Sequence, residues 1–229
     1  MHILRSAFEM ERDAALDFAA DRSFGLVVAY DGDHPVASHL PFVLRRKGAA
    51  VVQCHVTRAN PLARLADGQR SFLVVAAGAD AYVSNDWYVS PDQVSTWLYE
   101  AVHLTGTATR LPMEANRRHG DNLLRAAEHP LAPKPPWHLD RMEPAKRAAM
   151  LEAIVTIEIA VDAVEGQRKL NQHKPDADHV AVAQALERSR GPGGREVARR
   201  LRELRPLLDY GQPSPGYPPA AGAGGPKVP

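Results

Sequence analysis

The chain has 229 residues, 45% of them hydrophobic and 24% charged, with 28 Lys and Arg against 27 Asp and Glu for a formal net charge of +1. That balance excludes wholesale disorder and a surface built throughout to attract nucleic acid, so any contact with DNA needs a local basic patch. Cys54 is the only cysteine, which excludes an intramolecular disulfide and a zinc site built on thiolates. Acidic Glu9, Glu11 and Asp13 stand where a leader would be apolar, and no apolar run is long enough to cross a bilayer. The expectation is a soluble cytoplasmic protein with no membrane partner.

In chain order, Glu11 to Asp21 predicts a short helix, with Ala14, Ala15, Phe18 and Ala19 near helical spacing. Phe24 to Tyr30 and Val36 to Leu44 are β-branched and apolar runs joined at Asp31-Gly32, which predicts a hairpin, and Ala49 to Val56 adds a strand. Asn60 suits an N-cap and Pro61 the first helical position, so a brief helix should open there and end before Gly68. Strands are expected at Ser71 to Ala76, Asp80 to Ser84 and Thr96 to Arg110, and a helix at Met113 to Glu128.

Val155 to Val161 alternates cleanly, which predicts a strand with Val155, Ile157, Ile159 and Val161 inward and Thr156, Glu158, Ala160 and Asp162 on a wet face. His179 to Glu187 and Glu196 to Leu208 are amphipathic helical patterns separated by Gly191-Pro192-Gly193-Gly194. The many strands joined by short turns favour an antiparallel barrel or sandwich with peripheral helices, and no Gly-x-Gly-x-x-Gly or phosphate-binding loop is present. The division expected is a β domain over 1–188, a basic helical extension over 189–210, and a disordered tail rich in Pro, Gly and Ala over 211–229.

Four stretches carry candidate chemistry. His55 to Pro61 sets Thr57 and Arg58 between a strand end and a helix start, which suits an anion; the plainer alternative is a capped helix with Arg58 solvated. In Val36 to Phe42, a regular strand puts Ala37, His39 and Pro41 on one face and Ser38, Leu40 and Phe42 on the other. Trp87, Trp97, Tyr82, Tyr88 and Tyr99 crowd a short span beside Ser84 and Thr96 and offer flat walls for a ring, or else filling for a core or dimer interface. Val164 to Lys174 mixes cations and amides and reads as a loop, either closing over a ligand or solvated. His39, His55 and His103 lack metal-binding spacing, and Cys54 looks buried and inert.

In order, Ser23 to Gly25, Pro35 to Pro41, His55 to Pro61, Tyr82 to Tyr88, Thr96 to His103 and Glu165 to Gln172 resemble the PaiB family of negative transcriptional regulators, over most of residues 1–185. The resemblance implies a mainly β FMN-binding split barrel, with FMN as cofactor and a homodimer carrying the cofactor sites at its interface. It further implies Thr57, Arg58 and Asn60 at the phosphate and ribityl end, Ser38, His39 and Leu40 along the flavin ring, Trp97, Tyr99 and His103 as further pocket members, and Lys169 and Gln172 near the cofactor. Leu98 departs from the Asn that usually follows Thr-Trp in the family. A flavin-dependent oxidoreductase of the flavin reductase kind, or a haem-binding or haem-degrading protein, are the alternatives. DNA binding would rest on the arginines between Arg188 and Arg205, whose plainer reading is a solvated helix packing Val197, Leu201 and Leu204 on the barrel.

Overall fold

The computed structural model describes residues 1–46 and 48–211. Seven strands carry the fold: β1 (Glu9–Met10), β2 (Phe24–Tyr30), β3 (Pro35–Arg45), β4 (Val51–Thr57), β5 (Asp67–Val83), β6 (Thr96–Arg110) and β7 (Ile154–Lys169). Six helices accompany them: α1 (Arg12–Arg22), α2 (Pro61–Leu65), α3 (Ala115–Glu128), α4 (Pro144–Glu152), α5 (Asp176–Arg188) and α6 (Gly194–Leu204). The strands lie in the order β1-β7-β4-β3-β2-β5-β6, and β6 also pairs with β7, so six of them close into a barrel. The expected mainly β architecture with peripheral helices is what forms.

The described chain separates into two compact units, one of Met1–Gly78 with Glu100–Arg168 and the other of Ala79–Tyr99 with the chain from Lys169 onward. The segment read as an extension from residue 189 is part of the second unit. The first unit is filled by inward residues of the closed strands, among them Val27, Phe42, Val52, Cys54, Phe72, Leu104, Ile157 and Ile159, each fully buried. Period-two alternation puts them there: in β6, Val102, Leu104, Gly106 and Ala108 are buried while the residues between them are not.

The β2–β3 hairpin has the expected turn. Asp31 Oδ1 accepts the backbone N–H groups of Asp33 and His34 at 2.9 Å each, and Gly32 takes the positive φ of 110°. Those two bonds favour the ionised form and hold the Asp31 carboxyl below its usual range.

Closure requires backbones to approach closely where two glycines stand. A Cβ on Gly106 of β6 would lie 2.0 Å from the carbonyl oxygen of Ala160 in β7, and one on Gly25 of β2 would lie 2.3 Å from that of Val75 in β5. Neither neighbour is a flexible side-chain end, so the strands themselves would have to part.

Three expectations are corrected. Ser71 to Ala76 and Asp80 to Ser84 are one 17-residue strand: Ala76-Ala77-Gly78-Ala79 is small-residue strand, not a break, and the Phe18 ring sits over Gly78, whose added Cβ would meet Cζ at 3.1 Å. The strand at Val155 runs on to Lys169, so the expected loop from Val164 is strand for its first six residues. Its outer face is not wet throughout. Thr156 is fully buried beneath α3, its hydroxyl donating to Asn116 Oδ1 at 2.8 Å. Asn116 Nδ2 donates in turn to the carbonyls of Leu151 (2.9 Å) and Ile154 (3.1 Å), so one amide fastens α3 to β7 and to the end of α4.

The second unit packs Leu98 and Val83 with Leu170, Val182, Leu186, Val197 and Leu201. The helix α6 thus buries the apolar face expected of it, though in the core of the second unit with α5 and not in the barrel core where it was expected to pack. Its N-cap Gly193, at φ 75°, lies so close to Asp80 that a Cβ would meet the Asp80 carbonyl oxygen at 2.2 Å. The tail expected from 211 lies, beyond Gly211, outside the described residues.

Gly106→Ala should lower unfolding free energy by about 3 kcal/mol, the upper end of what overpacking a tight core exacts. Urea denaturation checks this. A loss under about 0.5 kcal/mol, the ordinary scale of a surface substitution, would show that the β6–β7 seam is looser than its geometry.

Candidate functional site

Within the first unit the end of β4 and the start of α2 meet the middle of β3. Asn60 is the N-cap of α2, its Oδ1 accepting the Leu62 N–H at 2.9 Å, while its Nδ2 donates to Ser38 Oγ at 3.0 Å. Two segments 22 residues apart, each singled out in the sequence, are thereby joined by one side chain. Ser38 and Leu40 are half-buried on the face that continues to Phe42, as the alternation predicts, and His39 is exposed on the other face with its ring stacked on Phe24 at 6.3 Å.

Arg58 is exposed but not simply solvated. Its Nε donates to the carbonyl of Glu152 and its backbone N–H to that of Ala153 at 3.1 Å, so the guanidinium sits at the C-terminal end of α4, where carbonyl oxygens favour a cation. That bond uses one of the five N–H donors of the side chain. Thr57, also exposed, accepts the Asn60 N–H on its carbonyl at 3.0 Å.

His55, two residues before Thr57 on β4, is engaged with α3. Its Nδ1 meets Nε2 of His119 at 3.0 Å, and the rings contact edge-on. His119 is 1% exposed; burial, then the neighbouring His55, lowers its pKa to about 4, and burial lowers that of His55. Two nitrogens sharing one hydrogen bond cannot both carry protons toward each other, which excludes the doubly charged pair, and the lowered pKa values leave both rings neutral near pH 7. His119 and Asn116 escaped the sequence reading; the only available signal was their i, i+3 placement on what proved to be the buried stripe of α3. Cys54 is fully buried, its thiol pushed up to about 12. Among the described residues no three His, Cys, Asp or Glu side chains are grouped to hold a metal ion.

His103, half-buried on β6, has its pKa lowered chiefly by burial, with Glu165 opposing.

The second unit holds the other sequence candidates. Lys169 Nζ donates to Thr96 Oγ1 at 2.6 Å, and partial burial lowers its pKa. Trp97 is 52% exposed and meets Tyr82 edge-on at 6.1 Å, while Tyr99 is half-buried. Gln172 is occupied locally: Oε1 accepts the Leu170 N–H at 2.8 Å and its carbonyl accepts from Arg205 at 2.9 Å. Leu98 is fully buried in the core of the unit.

The basic helix is largely neutralised by its own neighbours. Arg199 pairs with Glu196 and Glu203, Arg200 with Glu203, Arg202 with both oxygens of Glu187 at 2.7 and 2.9 Å, and Arg205 with Asp176 at 2.7 Å.

Residues 1–163 match the family described as "Putative FMN-binding domain". The chain belongs to that family. Among curated proteins it is 28% identical over 194 residues to the protease synthase and sporulation protein PAI 2 of Bacillus subtilis (strain 168), a match covering 80% of this chain and 87% of that one. This bears out the family resemblance legible in the sequence motifs. Among solved structures it is similar to the flavocytochrome Anf3 of Azotobacter vinelandii, with a TM-score of 0.56 and 15% identity over 73% of this chain and 72% of that one. It is also similar to an FAD and heme binding protein of Mycobacterium smegmatis, with a TM-score of 0.50 and 19% identity over 69% and 71%. The fold is the split barrel expected for the family.

The histidine pair gives a pH signature with a definite sign. The unfolded chain takes up protons on these rings near pH 6.5 and the folded chain does not, so stability is present above pH 6.5 and lost as pH falls toward 4. For His119 the loss is about 3 kcal/mol, at 1.36 kcal/mol per pKa unit. Urea denaturation at pH 7 and pH 4.5 should show it, flattened in His119→Gln; a His119 NMR titration midpoint near 6.5 would contradict it.

Proposed function

We propose that this chain binds FMN, with the phosphate and ribityl end at Thr57, Arg58 and Asn60 and the flavin ring along Ser38, His39 and Leu40. The observation that carries the reading is the Asn60–Ser38 hydrogen bond, which unites the two motifs, with Arg58 two residues before Asn60 in the chain. The donor set fits a phosphate monoester: Arg58 retains its two terminal amino groups after bonding Glu152, and a hydroxyl stands at Thr57, while the Ser38 hydroxyl is a polar group for the ring edge. Asn60 orients Ser38, and the carbonyl of Glu152 restricts the arginine, so both donors are positioned before a ligand arrives.

When bound, the flavin would supply electron and hydride transfer, and the protein would position it and tune its surroundings. Trp97, Tyr99, Lys169 and Gln172 in the second unit, and His103 in the first, are proposed flavin-binding residues on the family resemblance; the amide oxygen of Gln172 is used by its own turn.

The committed arginines of α6 favour this reading over one centred on DNA, because a cation already paired with a carboxylate contributes little to counterion release. On the resemblance we read the protein as a cytoplasmic homodimer. No helix among the described residues is long and apolar enough to cross a membrane.

Purified protein mixed with FMN should retain a yellow chromophore through gel filtration. Arg58→Ala should weaken FMN binding by about ten- to a hundredfold, the scale of a charge-assisted hydrogen bond, while leaving the melting temperature within a few degrees. A wild-type protein that stays colourless with excess FMN would overturn the proposal. Light scattering of the same sample, at the mass of one chain or two, tests the dimer.

A further inference from the structure

A second concave site lies wholly within the first unit, between α3 and the loop that follows it. Its cavity is about 320 Å3, near the lower end of the ~300–1,000 Å3 typical of small-molecule pockets. One wall is a single stripe of α3: Arg117, Asp121 and Arg125 recur at i, i+4 and i+8, and His129 follows four residues later. The facing wall is the Pro136–Asp140 loop, which presents Trp137 and His138.

Both ends of that loop are pinned to α3. At one end Glu128 accepts the Trp137 N–H at 2.9 Å and pairs with Lys134. At the other, Asp140 accepts from Arg117 at 2.9 Å and from Arg147 of α4 at 3.3 Å. The walls are therefore held apart by ion pairs at the margins instead of collapsing on an apolar centre.

The chemistry inside is uneven. Asp121 and Asp140 are both committed to Arg117, at 2.9 Å each, and their bonds raise the pKa of that guanidinium. Arg125, by contrast, has among the described residues only a long 3.4 Å side-chain hydrogen bond, to Asn122. Arg117 and Arg147 meet the two carboxylates, and Arg125 adds a third guanidinium that is paired with neither. The imidazoles of His129 and His138 add hydrogen-bonding nitrogens, and the half-buried Trp137 beside Pro136 adds a flat apolar surface. A forked cation, ring nitrogens and an indole face together fit one ligand chemistry, a planar ring bearing a single anionic group.

We propose that this cavity is a second small-molecule site, distinct from the residues assigned to FMN, which takes a planar aromatic or heteroaromatic anion with its charge on Arg125 and its ring against Trp137. The anionic group is a carboxylate or a phosphate.

Calorimetric titration of the full-length chain, with and without added FMN, tests this with three probes: AMP, indole-3-carboxylate and uncharged adenosine. Saturable binding of at least one anion at millimolar concentration or tighter is expected, with adenosine binding more weakly than AMP. The two anions separate a phosphate site from a carboxylate site. Arg125→Gln and Trp137→Ala should each weaken the bound anion by about tenfold or more, with Trp137→Phe restoring most of the affinity. Arg125 is exposed and Phe keeps a ring, so these two variants should retain the wild-type melting temperature. FMN affinity should be unaltered by Arg125→Gln, just as Arg58→Ala should leave the probe unaffected. Absence of binding by both anions, or binding unchanged in Arg125→Gln and Trp137→Ala, would overturn the site. Equal loss of FMN and AMP in Arg125→Gln would overturn its independence from the flavin.

Discussion

The pairing of β6 with β7 is the constraint on which the rest of the first unit depends. Without it six strands would form an open sheet with two free edges; with it the backbone groups of those edges satisfy one another and the interior is sealed. The pairing tolerates no side chain at residue 106, because the carbonyl of Ala160 occupies the space. Sealing the interior in turn sends the polar residues of β4 and β7 outward, and these become the seat of α3.

That seat is polar, which is unusual for a helix docking surface and explains its register. Asn116 meets a buried hydroxyl and two carbonyls, and His119 meets His55, so a sliding or rotated α3 would leave several buried groups without partners. Packing against apolar residues alone would discriminate registers less sharply. Because α3 is fixed in this way, its opposite stripe of Arg117, Asp121 and Arg125 is also fixed, and the loop after it closes a cavity instead of collapsing. Farther along the chain, α6 solves a different problem: Arg199, Arg200 and Arg202 find carboxylates on α5 and α6 themselves, so much of a dense positive sequence is paired within the unit.

Much of this was legible in the sequence for identifiable reasons. β2 and β6 have the bounds their composition predicts, since alternation and turn residues delimit both. The Ser38 and Asn60 motifs were recognisable separately, but their hydrogen bond was not, because nothing local encodes which strand lies beside a helix cap. The continuity of β5 through Ala76-Ala77-Gly78-Ala79 was hidden because small residues signal a break in isolation and close approach in context. α4 was missed for a related reason: Pro144 opens it, and Glu143 caps it with both carboxylate oxygens, a cap that a Pro-rich neighbourhood disguises. The pocket beside Trp137 was illegible because its two walls come from a helix and an irregular loop with no shared period.

Asn60 has a chemical consequence beyond its two hydrogen bonds. An asparagine ages by attack of the following backbone nitrogen on its side-chain amide, which expels ammonia and forms a cyclic imide that water then opens to aspartate or isoaspartate. Here the following residue is Pro61, whose nitrogen is tertiary and carries no hydrogen. The proline that starts α2 in the right geometry therefore also removes the nucleophile. Its neighbour, a neutral donor toward Ser38, is thereby shielded from slow conversion into a carboxylate beside the proposed phosphate position.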